Sequence, residues 1–129
     1  MQTASRILAP IIGRILLGGY FLWRGIEHAL NFPLVTEEFA RGGVPYAHLF
    51  VIGMIVIEVC GSVFLIVDSY VAVMALMLIT FDVLLLTIAF AIAAPTIDTL
   101  TTHIALLGGL LLLVNYEPQT AQRTRTAHR

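Results

Sequence analysis

The first long apolar stretch, residues 13–31, most constrains what this chain can fold into. It reads GRILLGGYFLWRGIEHALN and carries four ionisable side chains, Arg14, Arg24, Glu27 and His28. A charged group near the centre of a bilayer costs roughly 2.5 to 3.5 kcal/mol on insertion scales. We therefore expect a helix whose ionisable groups find partners, water or the membrane interface, and the rest of the chain must supply those partners.

The overall composition places the chain among membrane proteins. Of its 129 residues, 59% are hydrophobic and 12% are charged, and a soluble domain of this size exposes too much surface for that balance. All seven basic residues are arginines, and they form no cluster typical of nucleic-acid binding. We therefore expect the lipid bilayer, and not a nucleic acid, as the partner of this chain.

Four apolar runs of about 20 residues, the length that crosses a bilayer, predict an all-α fold. We predict a four-helix transmembrane bundle with helices at about 10–31, 47–67, 70–94 and 101–116, in a single unit over residues 1–129. The connection between the first two helices mixes aromatic and charged residues, which predicts a short amphipathic helix over 34–41 at the membrane surface. The polar residues 117–129 are expected to be disordered.

The arginines near the two ends of the chain predict its orientation. Arg6 and Arg14 lie at one end of the first helix, and three more arginines follow the fourth. With four spans, all of them fall on one side, which the positive-inside rule makes cytoplasmic. We expect a multi-pass protein of the plasma (inner) membrane with both termini in the cytoplasm. Arg14 interrupts the first apolar run and no small-x-small cleavage site follows it, so we expect no removal of the first helix as a secretory leader.

The intramembrane polar residues are expected to gather at one level of the bundle. Arg24, Glu27 and His28 share one helix face by their spacing, and His103 lies early in the fourth helix, in the same outer layer. Glu58 lies near the middle of the second helix. The sequence thus predicts an outer cluster of the first four residues with Glu58 beneath it.

Each member of this cluster has a structural and a functional interpretation. Glu58 is either an acid held in register by an arginine of the first helix, or a group that handles a ligand or a proton. His28 and His103 are either satisfied polar groups of the core or proton acceptors beside a quinone headgroup, because imidazole titrates near neutral pH. Their spacing predicts no metal site. Arg24 is either a counter-ion or a contact to a quinone oxygen.

The other candidates are two aromatic residues and one isolated acid. Tyr20 and Trp23 either line a pocket or serve as packing and interface anchors. Asp82 lies in a span without a basic residue, so we expect it to be neutral, bonded to a nearby threonine such as Thr80 or Thr87, or in contact with another helix or subunit. The candidate residues are, for catalysis, Glu58, His28 and His103; for cofactor binding, Arg24, Glu27, Tyr20 and Trp23; and for structural or partner contacts, Arg14 and Asp82.

Small residues predict where helices approach each other. Gly18 and Gly25 lie seven residues apart on one stripe, which favours close approach of a neighbouring helix. Cys60 is the only cysteine, so neither a disulfide within the chain nor a CxxC redox pair can form. Because Cys60 lies in an apolar run, we expect it to be a small buried side chain.

In these segments the chain resembles the DoxX family of small four-helix membrane proteins. The resemblance rests on GRILLGGYFLWRGIEH (13–28), on GGVPYAHLFVIGMIVIEVCGSVFLIVD (42–68) and on HIALLGGLLLL (103–113), in this order and spacing. Arg24 and Asp82 depart from the family pattern. The positions that fall on it are Arg14, Gly25, His28, Glu58, Gly61 and Gly108.

The resemblance implies a small membrane subunit of a redox or respiratory complex, because one branch of the family resembles the membrane subunit of thiosulfate:quinone oxidoreductase. Quinone is the cofactor that this implies. The sequence has no haem, flavin or iron–sulfur motif, so electrons would come from a partner protein or directly from a substrate. Other membrane or redox subunits, or a second copy of the chain, are the expected partners.

Two alternatives to this function remain open. The first is a non-catalytic membrane scaffold or assembly factor, for which the buried polar groups would fix helix packing. The second is a proton-coupled small-molecule transporter, in which Glu58 and Asp82 alternate between protonated and charged forms. If the chain is an enzyme, it is a quinone-linked oxidoreductase subunit.

Overall fold

The computed structural model describes residues 2–92 and 95–115, and the predicted disordered tail, 117–129, lies outside them. The described residues form five helices and no strand, which confirms the all-α prediction. The short α2 confirms the helix predicted in the connection between the first two long helices, with a proline in its first turn where a missing N–H costs nothing. The helices are α1 (Gln2–Leu30), α2 (Phe32–Arg41), α3 (Ala47–Ile66), α4 (Val71–Ile92) and α5 (Ile97–Val114).

Three of the helices, α3, α4 and α5, are long and apolar enough to cross a membrane. The helix α1 runs antiparallel beside α3, because its residues 18 and 25 lie against α3 residues 62–66 and 58–59 respectively. The polar first helix therefore lies against a membrane-crossing partner from Gly18 to His28. The result is a bundle of four long helices with α2 at one end.

The four long helices form a ring in the order α1, α3, α4, α5. Neighbours in this order pack together, and α5 closes the ring against α1. In the described part of the chain, α1 has no backbone approach to α4, and α3 has none to α5, so these two pairs lie diagonally across the ring. In the same part of the chain, the helix α2 packs on α3 and α1 and makes no close backbone approach to α4 or α5.

Two glycines on α1 explain its close packing on α3. A Cβ at Gly18 would come within 2.7 Å of Ile66 Cγ1 and 3.1 Å of the Ser62 carbonyl, and a Cβ at Gly25 would come within 2.7 Å of Val59 Cγ2. Neither position leaves room for a methyl group. The predicted glycine stripe is therefore the α1–α3 contact.

The apolar core divides into two clusters along the bundle axis. At the end away from α2, the buried side chains come from α1, α3, α4 and α5, and include Phe21, Leu65, Leu78 and Leu110. At the other end, Val51, Met54 and Phe81 form a smaller cluster, against which α2 packs. The ionisable residues of the cavity described below lie at the α2 end, where Met54 of the smaller cluster also lines that cavity.

Two helices begin earlier than the sequence predicts. The helix α1 starts at Gln2 and continues through Pro10, although proline is best tolerated in a first turn. The helix α5 starts at Ile97 because the Thr96 hydroxyl accepts a hydrogen bond from the Thr99 N–H and caps it. Asp98, Thr99, Thr101 and Thr102 thus lie in the first turns of a membrane-crossing helix.

At the end of the bundle opposite α2, Arg14 and Asp68 form an ion pair between α1 and the α3–α4 turn. Arg14 is buried, and Asp68 has a φ of 63°, a left-handed conformation that aspartate tolerates better than most residues. Cys60 is exposed on α3, so the prediction of a buried cysteine is wrong. In a membrane-crossing helix an apolar thiol can face lipid as readily as the core, because both surroundings are apolar.

Candidate functional site

All five helices contribute to one cavity of about 680 Å³ at the α2 end of the bundle. One wall is the apolar face Leu85, Ile88, Ala89 and Ile92 of α4, with residues at helical spacing. The opposite wall comes from α2 and from Met54 of α3. The polar lining comes from side chains on α1, α2 and α5, namely Arg24, His28, Glu38, Arg41, Thr96, Thr99 and His103.

His28 on α1 is joined to Glu58 on α3, with 2.7 Å between Nδ1 and Oε2. The Glu58 side chain is 3% exposed and the His28 side chain 12%. Both are placed by the Gly25 contact, because a Cβ at Gly25 would lie 3.2 Å from Glu58 Cβ. The pair therefore depends on the close packing of α1 against α3.

His103 on α5 is joined in the same way to Asp82 on α4, with 2.7 Å between Nδ1 and Oδ1. The exposed fractions are 3% for Asp82 and 17% for His103. The second carboxylate oxygen, Asp82 Oδ2, is buried and has no hydrogen-bond partner among the described residues. Thr80 and Thr87, the predicted alternatives, instead bond to the carbonyls of Leu76 and Val83 in their own helix.

Both carboxylates lie near the middle of their own helices. Glu58 and Asp82 each follow the first residue of their helix by eleven positions, which is about 16 Å at 1.5 Å per residue. Their partners lie nearer to helix ends, since His28 is two positions before the end of α1 and His103 is six positions after the start of α5. A carboxylate within a membrane-crossing helix needs a polar partner, and a histidine on a neighbouring helix supplies one.

Arg24 is the cationic residue that α1 contributes to the cavity lining. Its guanidinium is 3.8 Å from Glu27 on the same helix, and both side chains are more than a third exposed. Arg24 and Glu58 are also within electrostatic range of Asp82. Arg24 is thus a cationic group of the cavity, and its ion-pair contact to Glu27 is long and exposed.

The structure gathers four of the five predicted cluster members at the cavity. Arg24, His28 and His103 line it, and Glu58 supports His28 from behind. Glu27 lies outside the lining and is half exposed. Tyr20 packs edge-on against Phe21 beside the core, and Trp23 is 67% exposed on the outer surface. Arg14 lies at the other end of the bundle.

Several lining residues have no counterpart in the sequence prediction. Thr99 and Arg41 line the cavity, as do Val35, Glu38 and Phe39 on one face of α2. The helical spacing of that α2 face is visible in the sequence, but the spacing does not tell whether it covers protein or lipid. The pairing of Asp82 with His103 also has no local signal, because the residues lie 21 positions apart on different helices.

The geometry can bind a ligand with polar atoms at one end and an apolar body. Arg24 donates hydrogen bonds only, whereas each imidazole donates or accepts at Nε2 according to its protonation state. Each carboxylate holds Nδ1 of its histidine and so fixes the orientation of the imidazole. In the described part of the chain, no group of three or more potential ligands is arranged for a metal ion.

The fold and the cavity define a small multi-pass helical membrane protein in which two buried carboxylates are each paired with a histidine of a neighbouring helix. The family model for DoxX matches residues 9–93, well over half of the chain. The chain belongs to the DoxX family, which confirms the resemblance seen in the sequence. No curated protein and no solved structure matches the chain.

Proposed function

We propose that this protein is a membrane subunit of a redox or respiratory complex and that its cavity binds a lipid quinone. The observation that supports this is the cavity at the α2 end, with apolar walls and the cationic or imidazole groups Arg24, His28 and His103 in one lining. A volume of about 680 Å³ lies within the range of about 300 to 1,000 Å³ typical of small-ligand sites. The available donors and the apolar walls fit a quinone headgroup and its tail.

In this proposal the chain itself binds, orients and handles protons. Arg24 donates a hydrogen bond to a ligand oxygen, and the apolar face of α4 holds the ring. The histidines hold or accept protons at Nε2 while Nδ1 donates to the carboxylates. A bound quinone would supply two-electron, two-proton chemistry, with electrons from a partner redox protein of the complex.

The proposed orientation follows from the arginines. The positive-inside rule puts both termini in the cytoplasm of a cell whose plasma (inner) membrane holds the protein. The α2 end, with Glu37 and Glu38, then faces outward. A redox partner that meets the cavity from the water would approach from that side.

A proton-coupled carrier is the second candidate. Two buried carboxylates are paired with two partly exposed histidines, and each of the four groups can change its charge. In this reading the cavity holds a transported molecule and the pairs hold the coupling proton. A structural role for the pairs, as in a scaffold, would leave the cavity without a ligand.

The test is purification of the full chain from native membranes in lipid-preserving particles, followed by quinone extraction and identification of partner proteins. The variants are Arg24→Ala and Glu58→Gln. The matched control is Glu37→Gln, because Glu37 is 62% exposed and pairs only with Arg41 on the same helix. Helical content and thermal stability are measured for every variant.

We expect the wild type and the control to carry quinone or a redox enzyme, and the two variants to lose quinone while they stay folded. Retention of quinone by both variants would mean that the polar groups are structural. If no quinone is present and pH-driven uptake occurs in proteoliposomes, the carrier is the better description. Co-purified partners without quinone would favour the scaffold.

A further inference from the structure

We infer that the cavity binds a para-quinone through both ring oxygens at once, one at His28 and the other at His103. This rests on the proposed function and adds the ligand class and its binding geometry. A para-quinone has its two oxygens at opposite ends of the ring. A site of this kind needs two hydrogen-bonding groups that reach the same cavity from different sides.

The free atom of each histidine is Nε2. In both residues Nδ1 is 2.7 Å from a buried carboxylate oxygen and is therefore committed to it. Among the described residues, neither Nε2 has a hydrogen-bond partner. Both imidazoles line the cavity and keep 12% and 17% of their side-chain surface exposed.

The two histidines are held by different walls of the ring. His28 is fixed by Glu58 in the α1–α3 wall, and His103 by Asp82 in the α4–α5 wall. Among the described residues the diagonal helices make no close backbone approach, and each histidine is bonded to a carboxylate of its own wall. A ring between the walls can contact both imidazoles, with Arg24 as the remaining charged group from α1.

The same geometry serves both forms of the ligand. A protonated imidazole donates Nε2–H to a carbonyl oxygen of the quinone, and a neutral imidazole accepts the hydroxyl hydrogen of the quinol. In both cases Nδ1–H donates to the carboxylate, so neither pair has to break. The charged groups around the histidines are their partner carboxylates, Glu58 and Asp82, and three residues of the shared cavity lining, Arg24, Glu38 and Arg41.

The test measures the affinity of the full chain in lipid nanodiscs for a decyl-substituted 1,4-benzoquinone. The binding is corrected for partition into protein-free nanodiscs. The variants are His28→Asn, His103→Asn and the double variant. The asparagine amide nitrogen can take the place of Nδ1 and keep the bond to the carboxylate, but asparagine has no counterpart of Nε2. The matched control is His48→Asn, because His48 is exposed on α3 and lies outside the cavity lining.

We expect each single variant to weaken binding about tenfold and the double variant about a hundredfold, as the loss of one and two hydrogen bonds implies. The glutamine variants His28→Gln and His103→Gln, which keep a polar group near Nε2, should retain more affinity than the asparagine variants. A decylphenol probe, with one oxygen, should bind the wild type more weakly, and only one of the two asparagine variants should weaken it further.

Three results would overturn the inference in different ways. If only one histidine affects the affinity for the benzoquinone, the quinone binds by one oxygen, and the proposed function stands without this geometry. If saturable binding is insensitive to both histidines, the quinone site lies elsewhere in the chain. If the wild type binds no more quinone than empty nanodiscs do, the proposed function fails as well.

Discussion

Asp82 and His103 show how a single buried acid is accommodated in a membrane helix. Asp82 has no basic residue in its own helix, and its partner comes from α5. Hydrogen bonds between membrane helices contribute on average about 0.6 kcal/mol and at most about 1.7 kcal/mol. The bond therefore orients the two groups more than it stabilises the bundle, which is what a ligand site requires.

We expect Asp82→Ala to lower the free energy of unfolding by about 1 to 2 kcal/mol, because it leaves His103 Nδ1 without its partner. Asp82→Asn keeps an acceptor and should lose less. The matched control Asp98→Ala changes an exposed acid in the first turn of α5 and should cost under about 1 kcal/mol. Detergent-titration unfolding measures these values, and equal stability of Asp82→Ala and the wild type would contradict the structural importance of the bond.

At the scale of the helices, the α1–α3 contact decides where His28 and Glu58 meet. The contact is made by glycines that leave no space for a side chain, so the two backbones approach closely. The antiparallel direction then sets residue 28 beside residue 58. A change that separates these helices moves one wall of the cavity.

Gly25→Ala should destabilise the protein by about 1 to 3 kcal/mol, since the added methyl overlaps Val59 and forces α1 away from α3. Gly19→Ala is the matched control, because a Cβ at Gly19 meets nothing within 4 Å. It should leave stability unchanged or raise it slightly through helix propensity. Thermal unfolding in detergent checks both, and equal behaviour of the two variants would show that α1 and α3 are less tightly packed than described.

At the scale of the whole molecule, the outer surface is apolar because lipid surrounds it. Trp23 is the only tryptophan and is 67% exposed on this surface. Trp23, one of the two aromatic residues with a possible cofactor role in the sequence prediction, therefore lies outside the cavity lining.

Brominated lipids in reconstituted vesicles should strongly quench the fluorescence of Trp23, because the indole ring faces the acyl chains. The comparison ligand is the decyl-substituted benzoquinone at a saturating concentration. We expect it to quench Trp23 only through the molecules dissolved in the bilayer, to the extent that its partition into protein-free vesicles implies. Emission that is insensitive to brominated lipid would place Trp23 against protein instead.

Much of the fold could be predicted from the sequence because it depends on local patterns. The lengths of the apolar runs give the helices, the amphipathic segment gives α2, and the spacing of Gly18 and Gly25 gives a packing face. Helix starts were less predictable. Thr96 caps α5 five positions earlier than the predicted start, since a cap depends on one side-chain geometry that composition does not reveal.

The sequence predicts which residues form the candidate site, but not which of them pair with each other. The scarcity of ionisable groups in an apolar chain marks Arg24, His28, Glu58 and His103 as the residues that need partners, and the sequence alone determined that. Only the tertiary structure decided that Glu58 takes His28 and not an arginine, and that Arg14 takes Asp68. The physical reason is that burial cost acts on each residue separately, whereas the choice of partner depends on which helices are neighbours in the ring.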